Sequence, residues 1–277
     1  MIIWLASYPK SGNTLLRSIL ISLIYSENGE VNFKQLPFIE NFPAPIFFKD
    51  FKTNLEDIKS LSKYWIKAQE KINEKKKLKI FKTHNARCVI DGNLFTNREN
   101  TIATIYIVRD PRDVLISASK YYSTSYLEQK KVMFDNNLNI VDTFNSTPIR
   151  SFVSSWSNHY NSWTKNNNNI LLIKYEDLIS DKKATILRLI NFINGFKEMI
   201  ISDQKIENCI KSSTFTNMQE MENKGLFTEQ ATNQNGEKLK FFNSGVSGRW
   251  QNKLNQKTVK DLENVFNKEM LELGYIS

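Results

Sequence analysis

Five side chains in this sequence, Lys10, Lys82, His84, Arg109 and Tyr175, each follow a short apolar run by no more than four residues. Cations gathered at the ends of buried strands suit an anionic ligand. An imidazole among them adds a group able to take up a proton near neutral pH. The first of these places is the most explicit. Trp4-Leu5-Ala6-Ser7-Tyr8-Pro9-Lys10-Ser11-Gly12-Asn13-Thr14 leads from an apolar run, through a turn with one lysine, one glycine and several hydroxyls, to a helix start. Unpaired backbone N–H groups at such a start, with the positive end of the helix dipole, favour phosphate or sulfate. An ordinary strand-turn-helix connection would use Gly12 in the same way and leave Lys10 solvated, so the motif alone leaves both readings open. It departs from the nucleoside-triphosphate P-loop, where lysine follows the second glycine; here Lys10 precedes the single Gly12. The shorter loop suits a smaller, doubly charged group.

The elements that must position these groups follow from periodicity. Ile2 to Ala6 reads as a buried strand, and Leu15, Leu16, Ile19, Leu20, Leu23 and Ile24 recur at helical spacing behind it. Three more apolar runs, Leu78 to Phe81, Ile102 to Val108 and Ile170 to Ile173, read as parallel strands separated by stretches long enough for crossovers. This predicts an α/β fold, a single domain with a central parallel sheet flanked by helices. The strand ends of such a sheet lie along one edge, where α/β proteins commonly bind ligands, so Lys10, Lys82, His84, Arg109 and Tyr175 are expected at one crevice. A helix starting near Asp113 would carry Ser117 within reach of Arg109's ligand, providing a second phosphate site. Arg109 paired with Asp110 or Asp113 is the plainer reading of the same string.

Composition narrows the class. The 277 residues suffice for one large domain or two small ones, and the net charge of +9 points to anionic ligands or surfaces. The Lys75-Lys76-Lys77 run reads as a solvated helix end rather than a nucleic-acid stripe, so no nucleic acid is expected as partner. Cys88 and Cys209 have neither metal-ligand spacing nor a partner motif, so no disulfide framework or zinc site is indicated. With the first strand starting at the second residue and no apolar run of about twenty residues, the expectation is a cytoplasmic protein without a transmembrane segment.

Taken together, these segments resemble the sulfotransferases that use 3′-phosphoadenosine 5′-phosphosulfate (PAPS). Tyr8 to Thr14 is similar to the family's 5′-phosphosulfate loop, and Val108-Arg109-Asp110-Pro111-Arg112-Asp113-Val114 through Ser117 to its 3′-phosphate segment. Phe81-Lys82-Thr83-His84 resembles the catalytic Lys-Thr-His segment, and Phe241 through Trp250 the C-terminal nucleotide loop. The resemblance implies in-line attack of an acceptor hydroxyl, or amine, on sulfur, with 3′,5′-ADP (PAP) as product and no metal demanded. It implies His84 as base, Lys82 against the sulfuryl oxygens and Lys10 on the leaving side. Nucleotide contacts implied in the same way are Lys10, Ser11, Gly12, Asn13, Thr14, Arg109, Ser117, Tyr175, Ser213, Phe215, Asn243, Ser244 and Gly245. Tyr175, Ser213 and Phe215 also suit simple packing, and His159, among aromatic residues, reads as structural.

The pattern departs from the family in three places. Leu15 stands where many members carry a tryptophan near adenine; Asn243-Ser244-Gly245 replaces Arg-Lys-Gly; and Arg249 takes a position usually acidic. Arg249 or Lys240 is a candidate to restore the missing 3′-phosphate charge. A dimer motif is only partly present in Thr258-Val259 and Glu263, and a terminal amphipathic helix explains the same residues. A homodimer therefore stays open. The acceptor is expected to be a small molecule or carbohydrate. The Phe- and Pro-rich stretch 33 to 51 suits either an acceptor wall or a core cap, and segments 120 to 148 and 222 to 240 read as lids. A P-loop nucleotide kinase and a catalytically silent nucleotide-binding relative are the competing functions.

Overall fold

The computed structural model describes residues 1–277 apart from 166, 168, 228, 230–238, 243 and 244. Its strands are β1 (Ile2–Ala6), β2 (Lys79–Thr83), β3 (Val89–Ile90), β4 (Asn93–Leu94), β5 (Thr101–Val108), β6 (Asn139–Phe144), β7 (Thr147–Phe152) and β8 (Ile170–Lys174). The main sheet has the order β2-β1-β5-β8, and β3–β4 and β6–β7 are separate pairs. β1 runs parallel to both neighbours, placing Ala6 opposite Thr83 on one side and Tyr106 on the other. Every residue of β1 is buried. A central strand covered on both faces has no solvent side to alternate with, which is why it reads as an unbroken apolar run.

The expected α/β class is the observed one, and each strand lies where the apolar runs put it. β2 extends two residues past the run ending at Phe81, because ladder pairing continues through Leu5 with Lys82 and Ala6 with Thr83. Side-chain polarity marks the surfacing of the strand, while backbone pairing sets its end.

The chain divides into two compact units, one of Met1–Tyr8, Glu40–Val108 and Val132–Leu172, the other of Pro9–Ile39, Arg109–Lys131 and Ile173–Ser277. In the first, Trp4 sits at the centre of a ring cluster with Phe42, Phe81, Phe95 and Trp163 at centroid distances of 5.4–6.2 Å. Phe42 and Phe48, candidates for an acceptor wall, are buried in this core. Most of the expected 120 to 148 lid is regular structure, the helix Tyr126–Phe134 and the hairpin strand β6.

In the second unit the helix Asn13–Tyr25 buries Leu16, Ile19, Leu20 and Leu23. Phe33 packs with Phe227 and Phe242 in a second aromatic cluster. Arg17, only 2% exposed, donates from its guanidinium to the carbonyls of Leu36 and Ile39 and so fastens the 3-10 turn Phe33–Phe38 to this helix. The Lys75-Lys76-Lys77 run is exposed just past the helix Trp65–Asn73, as its composition suggests. Among the described residues no helix is long and apolar enough to cross a membrane.

Candidate active site

β2 delivers Lys82, Thr83 and His84 in succession at its carboxyl end. The backbone of Lys82 is held on both sides, its N–H by the Glu40 carbonyl at 2.9 Å and its carbonyl by the Phe42 N–H at 2.9 Å. His84 follows, with Nδ1 2.8 Å from the Ser7 carbonyl oxygen at the end of β1. A carbonyl only accepts, so Nδ1 carries the proton, and in the neutral ring Nε2 is the basic nitrogen. Ser7 Oγ, 3.3 Å from the same Nδ1, is a second acceptor. Two strand ends thus fix both the tautomer and the orientation of the half-buried imidazole. That is the arrangement a general base requires.

The backbone of His84 is held in turn by the other histidine. His159 is fully buried, its Nε2 lies 3.1 Å from the His84 carbonyl, and Tyr106 Oη lies 2.8 Å from its Nδ1. The same reasoning puts the proton on Nε2 and makes Tyr106 the donor to Nδ1. Burial lowers the His159 pKa to about 3, which keeps the ring neutral in this network. Tyr106 also accepts from the Tyr8 backbone N–H. Asn85 completes the support: its amide donates to the Ala86 carbonyl and accepts from the Phe152 N–H, and Trp163 Nε1 donates to its carbonyl. His159 is structural, as the aromatic surroundings suggest, and its structural task is to hold the carbonyl of His84.

In the second unit the turn before Asn13–Tyr25 has Lys10 at φ 67° and Gly12 at φ 101°. These two left-handed residues, one on either side of Ser11, let the backbone curl around the helix start, which has no side-chain cap and no acidic residue in its first turn. Lys10 Nζ lies 3.5 Å from the centre of the Tyr121 ring and 4.1 Å from that of Phe241. These two aromatic faces were not foreseen in the sequence; they belong to segments with no spacing relation to the loop. Such contacts hold an ammonium with about 0.5–2 kcal/mol each. Ser11 Oγ is buried without a hydrogen-bond partner among the described residues. Asn13 and Thr14 are buried in the first turn.

Arg109 is 9% exposed, and its Nε is likewise buried without a partner among the described residues. Its terminal nitrogens donate at long range to the Lys10 carbonyl (3.5 Å) and the Val246 carbonyl (3.4 Å), and its guanidinium lies 4.3 Å from the Tyr175 ring centre. Asp110 is not its partner. Arg112 takes both Asp110 oxygens and adds the Glu263 carboxylate at 2.6 Å. Asp113 accepts from the N–H groups of Gly248 and Trp250, tethering the C-terminal loop. Burial raises its pKa, while Arg109's charge and these N–H groups act in the opposite direction. The helix itself starts at Pro111, two residues before the expected Asp113, because Asp110 caps it by accepting the Arg112 N–H and proline suits the first helical position. The Asp-Pro pair was the available signal.

Other expected contacts divide. Tyr175 donates to the Gly245 carbonyl at 3.2 Å, and the Phe215 ring packs where a Gly245 side chain would stand, so Arg109, Tyr175, Phe215 and Gly245 are brought together. Ser117 is half-buried on the helix Pro111–Tyr122. The Ser213 hydroxyl is directed back to the Ile210 carbonyl, and its own carbonyl accepts from Lys182. Asn243 and Ser244 lie outside the described residues, as does much of the expected 222 to 240 lid. Arg249 precedes the short helix Trp250–Lys253. Glu263, considered for a dimer motif, bonds within the chain to Arg112 on a terminal helix, Gln256–Val265.

The first unit thus carries a tautomer-fixed histidine after β2, and the second a glycine-hinged turn before its first helix and, after β5, an arginine whose buried Nε has no partner among the described residues, features that suit an anionic ligand on an α/β fold. The family model for the sulfotransferase domain matches residues 2–274, and the chain belongs to that family. Among curated relatives, the amine sulfotransferase of Oryctolagus cuniculus is 23% identical over 97% of this chain and 80% of its own length. Sulfotransferase 2A1 of Homo sapiens is also 23% identical, over 96% of this chain and 83% of its own. Among solved structures, the mouse sulfotransferase SULT7A1 complexed with PAP has a TM-score of 0.61 at 21% identity, covering 97% of this chain and 84% of that one. A retinol dehydratase in complex with androsterone and PAP has a TM-score of 0.60 at 16% identity, covering 97% and 80%.

Proposed function

We propose that this chain moves a sulfuryl group from PAPS to an acceptor hydroxyl or amine with His84 as general base. The observation that carries the reading is the 2.8 Å bond from His84 Nδ1 to the Ser7 carbonyl, which leaves Nε2 as the proton acceptor. The acceptor oxygen forms its bond to sulfur as the bond from sulfur to the bridging phosphate oxygen breaks, and the hydroxyl proton passes to Nε2. Lys82 stabilises charge on the sulfuryl oxygens and Lys10 the charge that grows on the leaving phosphate.

The nucleotide reading is supported by unmet hydrogen-bonding capacity. Ser11 Oγ and Arg109 Nε are buried polar groups with no partner among the described residues, an arrangement that costs about 1–3 kcal/mol per group unless a ligand supplies one. The loop Ser11 to Thr14 and Lys10 fit the 5′-phosphosulfate; Arg109, with Ser117 on the following helix, fits the 3′-phosphate. Tyr175, Phe215 and Gly245 line the nucleotide beside Arg109. The family match from residue 2 to 274 supports treating the whole chain as one sulfotransferase domain. A small-molecule or carbohydrate acceptor, a cytoplasmic setting and a homodimer belong to the same proposal.

The test is incubation with PAPS and a library of hydroxyl and amine acceptors, following PAP release with and without magnesium. Acceptor-dependent PAP release that does not require magnesium is expected. Strict magnesium-dependent use of ATP with no PAPS turnover would overturn the reading in favour of a kinase, and PAP binding without transfer to any acceptor would make the chain a silent relative.

A further inference from the structure

The first unit carries a cleft of about 410 Å³ that none of the residues assigned above lines. Asn97, Arg98 and Glu99, which line it, immediately precede β5, whereas His84 immediately follows β2. β2 and β5 are both parallel to β1, so the start of β5 and the end of β2 lie at opposite edges of the sheet. The cleft therefore reaches the edge away from His84. Its size falls in the range of small-molecule pockets, about 300–1,000 Å³.

Its walls are of two kinds. Arg87, Arg98 and Lys165 supply three cations against the single carboxylate of Glu99. None of the three cations forms a salt bridge among the described residues. Arg87 is half-buried and shares the cleft lining with Arg98, and burial together with the like charge of Arg98 lowers its pKa. The Arg87 backbone is fixed by its N–H to Ser162 Oγ at 3.1 Å. Cys88 beside it has its thiol pushed up to about 12, chiefly by burial, and so adds no negative charge. The second kind of wall is apolar. Val89 and Leu94 are paired directly across the β3–β4 hairpin and are 59% and 46% exposed. Opposed residues of an antiparallel pair share one face, so they present a continuous apolar plate to the cleft.

We propose that this cleft binds an amphipathic organic anion, a sulfate ester or carboxylate on a small apolar ring or chain, with Arg87, Arg98 and Lys165 holding the anionic group and Val89 and Leu94 the apolar body. This inference does not depend on the catalytic reading. Guanidinium groups bond sulfate and carboxylate oxygens in pairs, and the charge-assisted bonds are the stronger class.

The probe is naphthyl sulfate, titrated calorimetrically into the full chain, with naphthoate as the carboxylate arm and inorganic sulfate as the arm without an apolar body. Binding of naphthyl sulfate or naphthoate, or both, is expected, weakened about tenfold by Arg87→Ala or Arg98→Ala. Val89→Ser with Leu94→Ser weakens it as well. Glu99→Gln tightens it, and PAP leaves the affinity unchanged. These positions are half-buried or exposed, and unchanged circular dichroism and melting of the variants establish that the fold is kept. Absence of binding at millimolar probe, wild-type affinity in both arginine variants, displacement by PAP, or equal affinity for inorganic sulfate would each overturn the proposal.

Discussion

His84 Nδ1 and the Ser7 carbonyl, 2.8 Å apart, convert a histidine of ambiguous protonation into one with its basic nitrogen specified. His159 then secures the carbonyl of His84 from a distance of 75 residues in sequence. His84 was legible in the sequence because it stands behind Lys82 at a strand end. The bond from His159 was not, since no periodicity rule relates side chains so far apart, and only the buried aromatic setting of His159 was visible. Its titration gives a prediction with a definite sign. Burial lowers its pKa from 6.5 to about 3, so between those values the unfolded chain binds a proton that the native chain does not. Stability is therefore fully present above the unfolded value and falls as the pH drops through the window, by up to about 1.4 kcal/mol per unit. Denaturant melts from pH 7 to pH 4 should show stability falling more steeply in the wild type than in His159→Gln; equal slopes would contradict a neutral, buried His159.

Among elements, the strand ends were legible and the cross-links between segments were not. The apolar runs located all four strands of the main sheet because buried parallel strands have no polar face. The partner of Asp110 was open in an Arg-Asp-Pro-Arg-Asp string, and the structure selects Arg112, which leaves Arg109 Nε without a partner among the described residues. Gly245 was expected from family resemblance; the physical reason is that it has φ 62° and faces the Phe215 ring where a Cβ would collide. A left-handed conformation costs a non-glycine residue about 1–2 kcal/mol, and the Gly245 carbonyl is the acceptor for Tyr175. Gly245→Ala should weaken PAP binding about tenfold in calorimetric titration, with part of the loss recovered when Phe215→Ala removes the ring. Wild-type affinity in Gly245→Ala would separate this loop from the nucleotide.

For the whole molecule, the net charge of +9 and the α/β order limit the chemistry to anionic ligands without naming one. The family match from residue 2 to 274 names the class. Sequence reading covered the cations because polar residues must appear where strands surface. It missed the Tyr121 and Phe241 faces on Lys10 and the cleft between Arg87 and Lys165, which arise only when distant segments pack. The central claim is that this chain transfers a sulfuryl group with His84 as base and Lys10 on the nucleotide phosphate. The most direct test compares PAPS turnover and calorimetric PAP affinity in wild type, His84→Ala and Lys10→Ala, using an acceptor found in the library screen. Loss of a general base should lower kcat by about 10²–10⁴ in His84→Ala while PAP affinity stays at the wild-type value, and Lys10→Ala should lose both. Turnover at the wild-type rate in His84→Ala would contradict the account.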